Sequence, residues 1–203
     1  MHVAKDTEFY LAKGFRVASV EANPELARSG SVRLASSIQS GQLRIFNVAI
    51  CEKDGPVVFC RNREKSDWGT ISSDLAARNE RLGTTNDRIE VEGWRFERVL
   101  AETGIPYYAK IDIEGCDKLC LEAFRKFEAR PKFISVEAGL ETEEEALGLL
   151  EQLKSLGYGR FKIVNQIIHH RRRCVQPPLE GKYVDARFDV EMSGPFGEEA
   201  PGH

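Results

Sequence analysis

The second half of the chain alternates short apolar runs with helix-length amphipathic stretches, and few folds accept that order. Tyr107 to Ile113 reads as an apolar strand interrupted only by Lys110 and Asp112, and an amphipathic helix follows from about Asp117 to Phe127. Phe133 to Val136 is a second strand of the buried type, ending at Glu137. Glu143 to Leu156 reads as a helix closed by Gly157, and Arg160 to Val164 as one more strand. Strands separated by helices argue for an α/β fold, a doubly wound and mostly parallel sheet covered on both faces.

The first half follows the same logic less regularly. Asp6-Thr7 opens a short helix that ends near Gly14, and Arg16 to Val20 is a strand stopped by Glu21-Ala22-Asn23-Pro24. Proline there suits the first turn of a helix, expected to run to about Ser37. Leu43 to Ile50, Pro56 to Cys60 and Arg88 to Trp94 read as strands, and Phe96 to Glu102 as a short helix. Between Arg61 and Asn86 the chain is polar, with Trp68-Gly69-Thr70 in a loop and a helical stretch near Leu75 to Leu82. Long loops in compact domains are often functional.

At 203 residues with 41% apolar content, one domain is expected over residues 1–193. Residues 194–203, rich in Gly, Pro and Glu, are expected to be a disordered tail. The 29 basic residues are interspersed among 32 acidic ones, which argues against a nucleic-acid partner. No stretch is apolar enough to span a membrane, and Met1 to Phe15 lacks the features of a signal peptide. The expectation is a soluble, cytoplasmic protein. The five cysteines form an odd, widely spaced set, as reduced thiols do. Cys116 and Cys120 share a helix face, but no CxxC or nearby histidine completes a metal site, so no metal is assigned.

In a doubly wound sheet ligands lie beyond the carboxyl ends of the strands, where this chain places Glu21, Asp112 and Glu137. A carboxylate in the position of Glu21 can accept both hydroxyls of a ribose; it can equally be an acidic group favoured by the dipole of the helix that follows. Asp112 interrupts an apolar strand and needs a partner there. Lys110, on the same strand face, can supply one. The run His169-His170-Arg171-Arg172-Arg173 is too short for a nucleic-acid surface and reads as a solvated loop or edge segment, although one of its histidines can serve as a general base.

Several of these segments resemble one family. Lys110-Ile111-Asp112-Ile113-Glu114-Gly115 is similar to the KIDxEG signature of FkbM-type methyltransferases. Val20 to Pro24 resembles the family's acidic turn after its second strand, Asn47-Val48-Ala49 its third-strand segment, and Ile134 to Glu137 a later strand. Trp68-Gly69-Thr70 resembles a loop found in part of the family. The resemblance covers roughly Lys5 to Gln166 in matching order. It implies a class I methyltransferase (Rossmann-like) fold with S-adenosyl-L-methionine as donor. By position, Glu21 with Ala22 would hold the ribose, and Asn47 with Ala49 would lie near the adenine. Asp112 would face the methionine moiety or the acceptor, together with Glu114. An ordinary polar position on a half-exposed strand is the alternative for Asn47.

The family opens with a strand and a loop of the form D-x-G-x-x-x-G-x-D-T, and here the match starts inside that loop. Ala4 stands at the second glycine, and Asp6-Thr7 are in register. The first strand has no counterpart, so either the reading frame begins late or the fold has lost that strand. The expected reaction is methyl transfer to an oxygen of a small-molecule or sugar-containing acceptor, with Asp112, then Glu114 and Glu137, taking or orienting the hydroxyl proton. The competing expectation is a catalytically silent remnant acting as a binding module. No G-x-G-x-x-G follows any strand, which argues against a nicotinamide enzyme.

Overall fold

The computed structural model describes residues 2–137 and 142–202. These divide into two compact units, one formed by Met1–Asn47 with Phe161–His203 and the other by Val48–Arg160.

In the first unit, helix α1 (Lys5–Ala12) leads to strand β1 (Val17–Val20), then to helices α2 (Pro24–Arg33) and α3 (Ala35–Gln39) and strand β2 (Leu43–Phe46). The β1 to β2 connection is a βαβ crossover: the strands are parallel, with Val17 opposite Leu43 and Val20 opposite Phe46. The entry to α2 is set locally, because the Asn23 side chain accepts the Glu25 N–H at 3.0 Å and Pro24 stands in the first turn. Ala4, Leu11, Leu34 and Leu43 form the apolar centre, flanked by Val17, Ile38 and Ile45.

In the second unit, strand β3 (Ala49–Ile50) pairs parallel to β5 (Asn86–Trp94), which pairs antiparallel to β4 (Gly55–Asn62) over its whole length. Helix α4 (Ser73–Arg81) lies between β4 and β5 in sequence. Helix α5 (Phe96–Thr103) then precedes a second βαβ crossover: strand β6 (Tyr108–Ile111), helix α6 (Asp117–Phe124) and parallel strand β7 (Phe133–Val136). Leu121 and Phe124 are fully enclosed on α6, and Phe96 meets Phe124 edge-on at 5.5 Å. Helix α7 (Glu143–Ser155) begins with a capping box in which Thr142 and Glu145 satisfy each other's backbone N–H.

The fold is therefore mixed α/β, with the strands sorted among three small sheets; no single sheet joins them among the described residues. Each two-stranded sheet is a parallel pair, β1 with β2 and β6 with β7.

Three local expectations are corrected. Leu43 to Ile50 is two strands rather than one, because Asn47 turns its side chain back to donate to the Glu21 carbonyl at 2.8 Å. Arg160 to Val164 forms no strand: it has no ladder partner, and Ile163 is 79% exposed. From Gly194 to Gly202 the chain is packed where a disordered tail was expected. Phe196 is 3% exposed and packs edge-on against Tyr10 and Phe15 at ring separations of 5.0 and 5.5 Å. One aromatic ring in a Gly- and Pro-rich stretch anchors what composition alone would leave loose.

Candidate functional site

The apolar run of β6 ends at Ile111, and the chain then turns sharply. Glu114 adopts φ of 51° and Gly115 φ of 99°, both in the left-handed region. A non-glycine residue held there stores strain, which the surroundings must over-determine. They do so from the Trp68–Thr70 loop: the buried Thr70 hydroxyl donates to the Glu114 carbonyl at 2.7 Å and accepts the Ser72 N–H at 2.9 Å. At Gly115 a Cβ would lie 2.6 Å from Leu75 Cδ1, so any larger residue would have to displace that side chain as well as adopt a left-handed φ.

This turn, with the end of β7, gathers Asp112, Glu114 and Glu137, and one carboxylate oxygen of each lies within 4.8 Å of the others. The Glu137 N–H donates to the Ile111 carbonyl at 3.1 Å, which extends the parallel ladder and fixes where Glu137 emerges. Lys110 Nζ donates to Asp112 Oδ2 at 2.8 Å, the pairing its place on the strand face allowed. Three carboxylates this close repel one another unless something positive, or a proton, sits among them.

Their acidities separate accordingly. Burial disfavours ionisation of Asp112, but the Lys110 charge and hydrogen bond, with a further hydrogen bond from Glu137, outweigh it and hold this carboxyl below its ordinary range. Burial, then the charge and hydrogen bond of Asp112, push Glu137 up to about 7. Burial and the Asp112 charge likewise push Glu114 up to about 7, against the opposing Arg78. Asp117, at the start of α6, accepts the Ile113 N–H at 3.2 Å, and burial also raises its pKa. One ionised carboxylate beside two that change state near neutrality is an arrangement that can accept a proton and pass it on.

In the first unit, three of the four residues expected near the donor's nucleoside are brought together. Glu21 accepts the His2 N–H at 2.8 Å and the Asn23 N–H at 2.9 Å on its two oxygens, and Asn47 Nδ2 donates to the carbonyls of Glu21 and Ala22 at 2.8 and 3.4 Å. The fourth, Ala49, is buried in β3 of the second unit. Ala4, where the family's loop has glycine, takes a left-handed φ of 64°. A residue with a side chain held there carries about 1 to 2 kcal/mol of local strain.

The sequence reading found the three carboxylates but did not see that Thr70 holds one of them. The only signal was Trp68-Gly69-Thr70 itself, a compact motif within a polar stretch. His170 is exposed in a short 3-10 turn, Gln166–Arg171, and receives the Arg171 Nε at 3.3 Å. The side chain of His169 lies outside the described residues. The five cysteines are free thiols, and burial raises Cys116 to about 11, away from a reactive thiolate.

A cluster of carboxylates just beyond the ends of two parallel strands stands where α/β sheets commonly bind their ligands. The methyltransferase FkbM domain matches residues 2–160, and the chain belongs to that family of methyltransferases. Neither the curated proteins nor the solved structures yield a match. No described helix is long and apolar enough to cross a membrane.

Proposed function

We propose that this chain transfers a methyl group from S-adenosyl-L-methionine to an oxygen of a small-molecule or sugar-containing acceptor, on a class I, Rossmann-like framework, in the cytoplasm. The donor would supply a methyl group on a sulfonium, activated for displacement without a metal. The chemistry of the available groups suits it. A carboxylate offers about four acceptor positions, so Glu21, which already collects two backbone N–H groups, has the acceptor chemistry a ribose diol needs. Ala22, Asn47 and Ala49 are assigned to the nucleoside by the family's pattern. Asp112, ionised and held by Lys110, orients the acceptor hydroxyl or the donor's ammonium group. Glu114 and Glu137 take the hydroxyl proton and share it.

The observation that carries this reading is the separation of acidities within one cluster of carboxylates, in a chain whose family transfers methyl groups. Its test is calorimetry with S-adenosylhomocysteine. The wild-type chain should bind, and Glu21→Ala should weaken binding by about 1 to 3 kcal/mol, the worth of charged hydrogen bonds. Equal affinity in both would leave Glu21 only its local role at the start of α2.

A second reading has its own observation. Among the described residues β1 is hydrogen-bonded to β2 alone and β6 to β7 alone, with no single sheet joining the two pairs. Such a protein would be a methyltransferase-like binding module without catalysis. Complete absence of S-adenosylhomocysteine binding by the folded chain would favour it.

A further inference from the structure

We propose that Thr70 is a positioning residue: by holding the Glu114 carbonyl, it keeps Glu114 turned toward Asp112 and Glu137 and so makes three separate carboxylates act as one proton-sharing group. The inference rests on the proton-handling role given to that cluster above, and it adds a residue outside the acidic set.

The argument starts from the backbone. Left to itself, Glu114 would not choose φ of 51°, since a side chain in the left-handed region is crowded by its own carbonyl. The next residue, Gly115, is also left-handed, so the turn has little conformational preference of its own. An external hold is needed, and the 2.7 Å bond from Thr70 Oγ1 to the Glu114 carbonyl is a side-chain bond reaching that residue's backbone from 44 positions away. Thr70 is itself fixed on three sides. It is 1% exposed, and its backbone exchanges both bonds with Cys60 of β4, at 2.8 and 3.1 Å. Its hydroxyl also receives the N–H of Ser72, whose side chain caps α4. The hold is therefore rigid, and the same α4 presses Leu75 against Gly115.

The charged groups that face Glu114 are Asp112 and Asp117 from its own segment, Asp67 and Arg78 from the loop and α4, and Glu137 from the end of β7. Four of these five are acidic, so a released turn would swing Glu114 away from them toward water. Its elevated acidity constant would then relax toward that of a solvated glutamate. A hydroxyl without a positional role would leave that quantity unmoved.

The test is a carboxyl-carbon NMR titration of the full chain with 13C-labelled glutamate, the Glu114 signal being identified through Glu114→Gln. In the wild type that carboxyl should titrate near 7. In Thr70→Val the midpoint should fall by about one pH unit or more, and Thr70→Ser, which keeps the hydroxyl, should restore it. An unmoved midpoint in folded Thr70→Val, or failure of serine to rescue, overturns the proposal. Thr70→Ala removes the hydroxyl with less steric change and serves if valine unfolds the chain. Unfolding of both also counts against the proposal, because the hydroxyl would then be needed by the whole unit rather than by the turn. S-adenosylhomocysteine calorimetry on the same samples separates the two ideas: a chain that shows the Thr70 effect but binds nothing loses the methyltransferase reading and keeps this one.

Discussion

Two lysine–carboxylate pairs occupy different regions of this protein and are built to opposite ends. Lys13 and Glu199, in the first unit, both have wholly buried side chains, with Nζ to Oε2 at 3.0 Å. Glu199 also accepts the N–H groups of Leu179 and Glu180 at 2.9 and 3.0 Å, so the buried carboxylate has a counter-charge and two further donors. Lys110 and Asp112, in the second unit, are partly exposed, and two further carboxylates crowd Asp112. A balanced buried pair fixes structure. A pair with negative charge in excess holds an affinity for protons in reserve.

The largest effect expected from this contrast is on stability. Glu199→Gln leaves a buried ammonium group without its counter-charge and should cost about 3 to 5 kcal/mol in urea unfolding. Asp112→Asn should cost less than about 1 kcal/mol, since it removes a partly exposed pair and relieves repulsion at the same time. Comparable losses in the two variants would break the comparison.

The next effect is a pH dependence confined to the second region. Glu114 and Glu137 have folded-state values raised to about 7 from an ordinary value of 4.5, so between these limits the folded chain binds more protons than the unfolded one. Stability should therefore fall as pH rises from about 4.5 to 7 and level off above. Asp112 is shifted the other way, and its contribution is lost only at lower pH, as pH falls through its depressed value. Thermal midpoints of the wild type and of a Glu114→Gln/Glu137→Gln double variant should converge toward the acid end of that window and differ most near pH 7.5. Parallel profiles would show that the cluster does not titrate as a group. The smallest expected effect is none at all: a chelator should leave the thermal midpoint unchanged, and a clear drop would mean that a divalent cation, rather than Lys110 and shared protons, settles the cluster.

The second region was largely legible in the sequence, and the first was not. Lys110, Asp112, Glu114, Gly115 and Glu137 stand at strand ends within short βαβ spacing, where alternation and chain direction fix their neighbours. The strand and helix bounds of that stretch agree with the structure to within a few residues, apart from Arg160 to Val164. Thr70 escaped because its contact with Glu114 spans 44 residues and ends on a carbonyl, which has no residue code. Glu199 escaped more completely: in a stretch of Gly, Pro and Glu, nothing local distinguishes a carboxylate that will be buried from one that will be solvated. Its meaning lies in Lys13, 186 residues earlier. The Asn47 side chain, by turning back on Glu21 and Ala22, ended a strand that hydrophobic alternation would have carried to Ile50.

The packing of Phe196 on Tyr10 and Phe15 also governs when the first unit can form. The second unit is one continuous stretch, Val48–Arg160. The first is assembled from segments on either side of it. At about 5 to 20 residues per second, α1 must wait roughly 10 to 40 s for the aromatic ring and the carboxylate that complete its surroundings. During that interval Phe9, Tyr10 and Phe15 lack their final cover. Synthesis order thus leaves α1 in need of protection until Phe196 and Glu199 have been made.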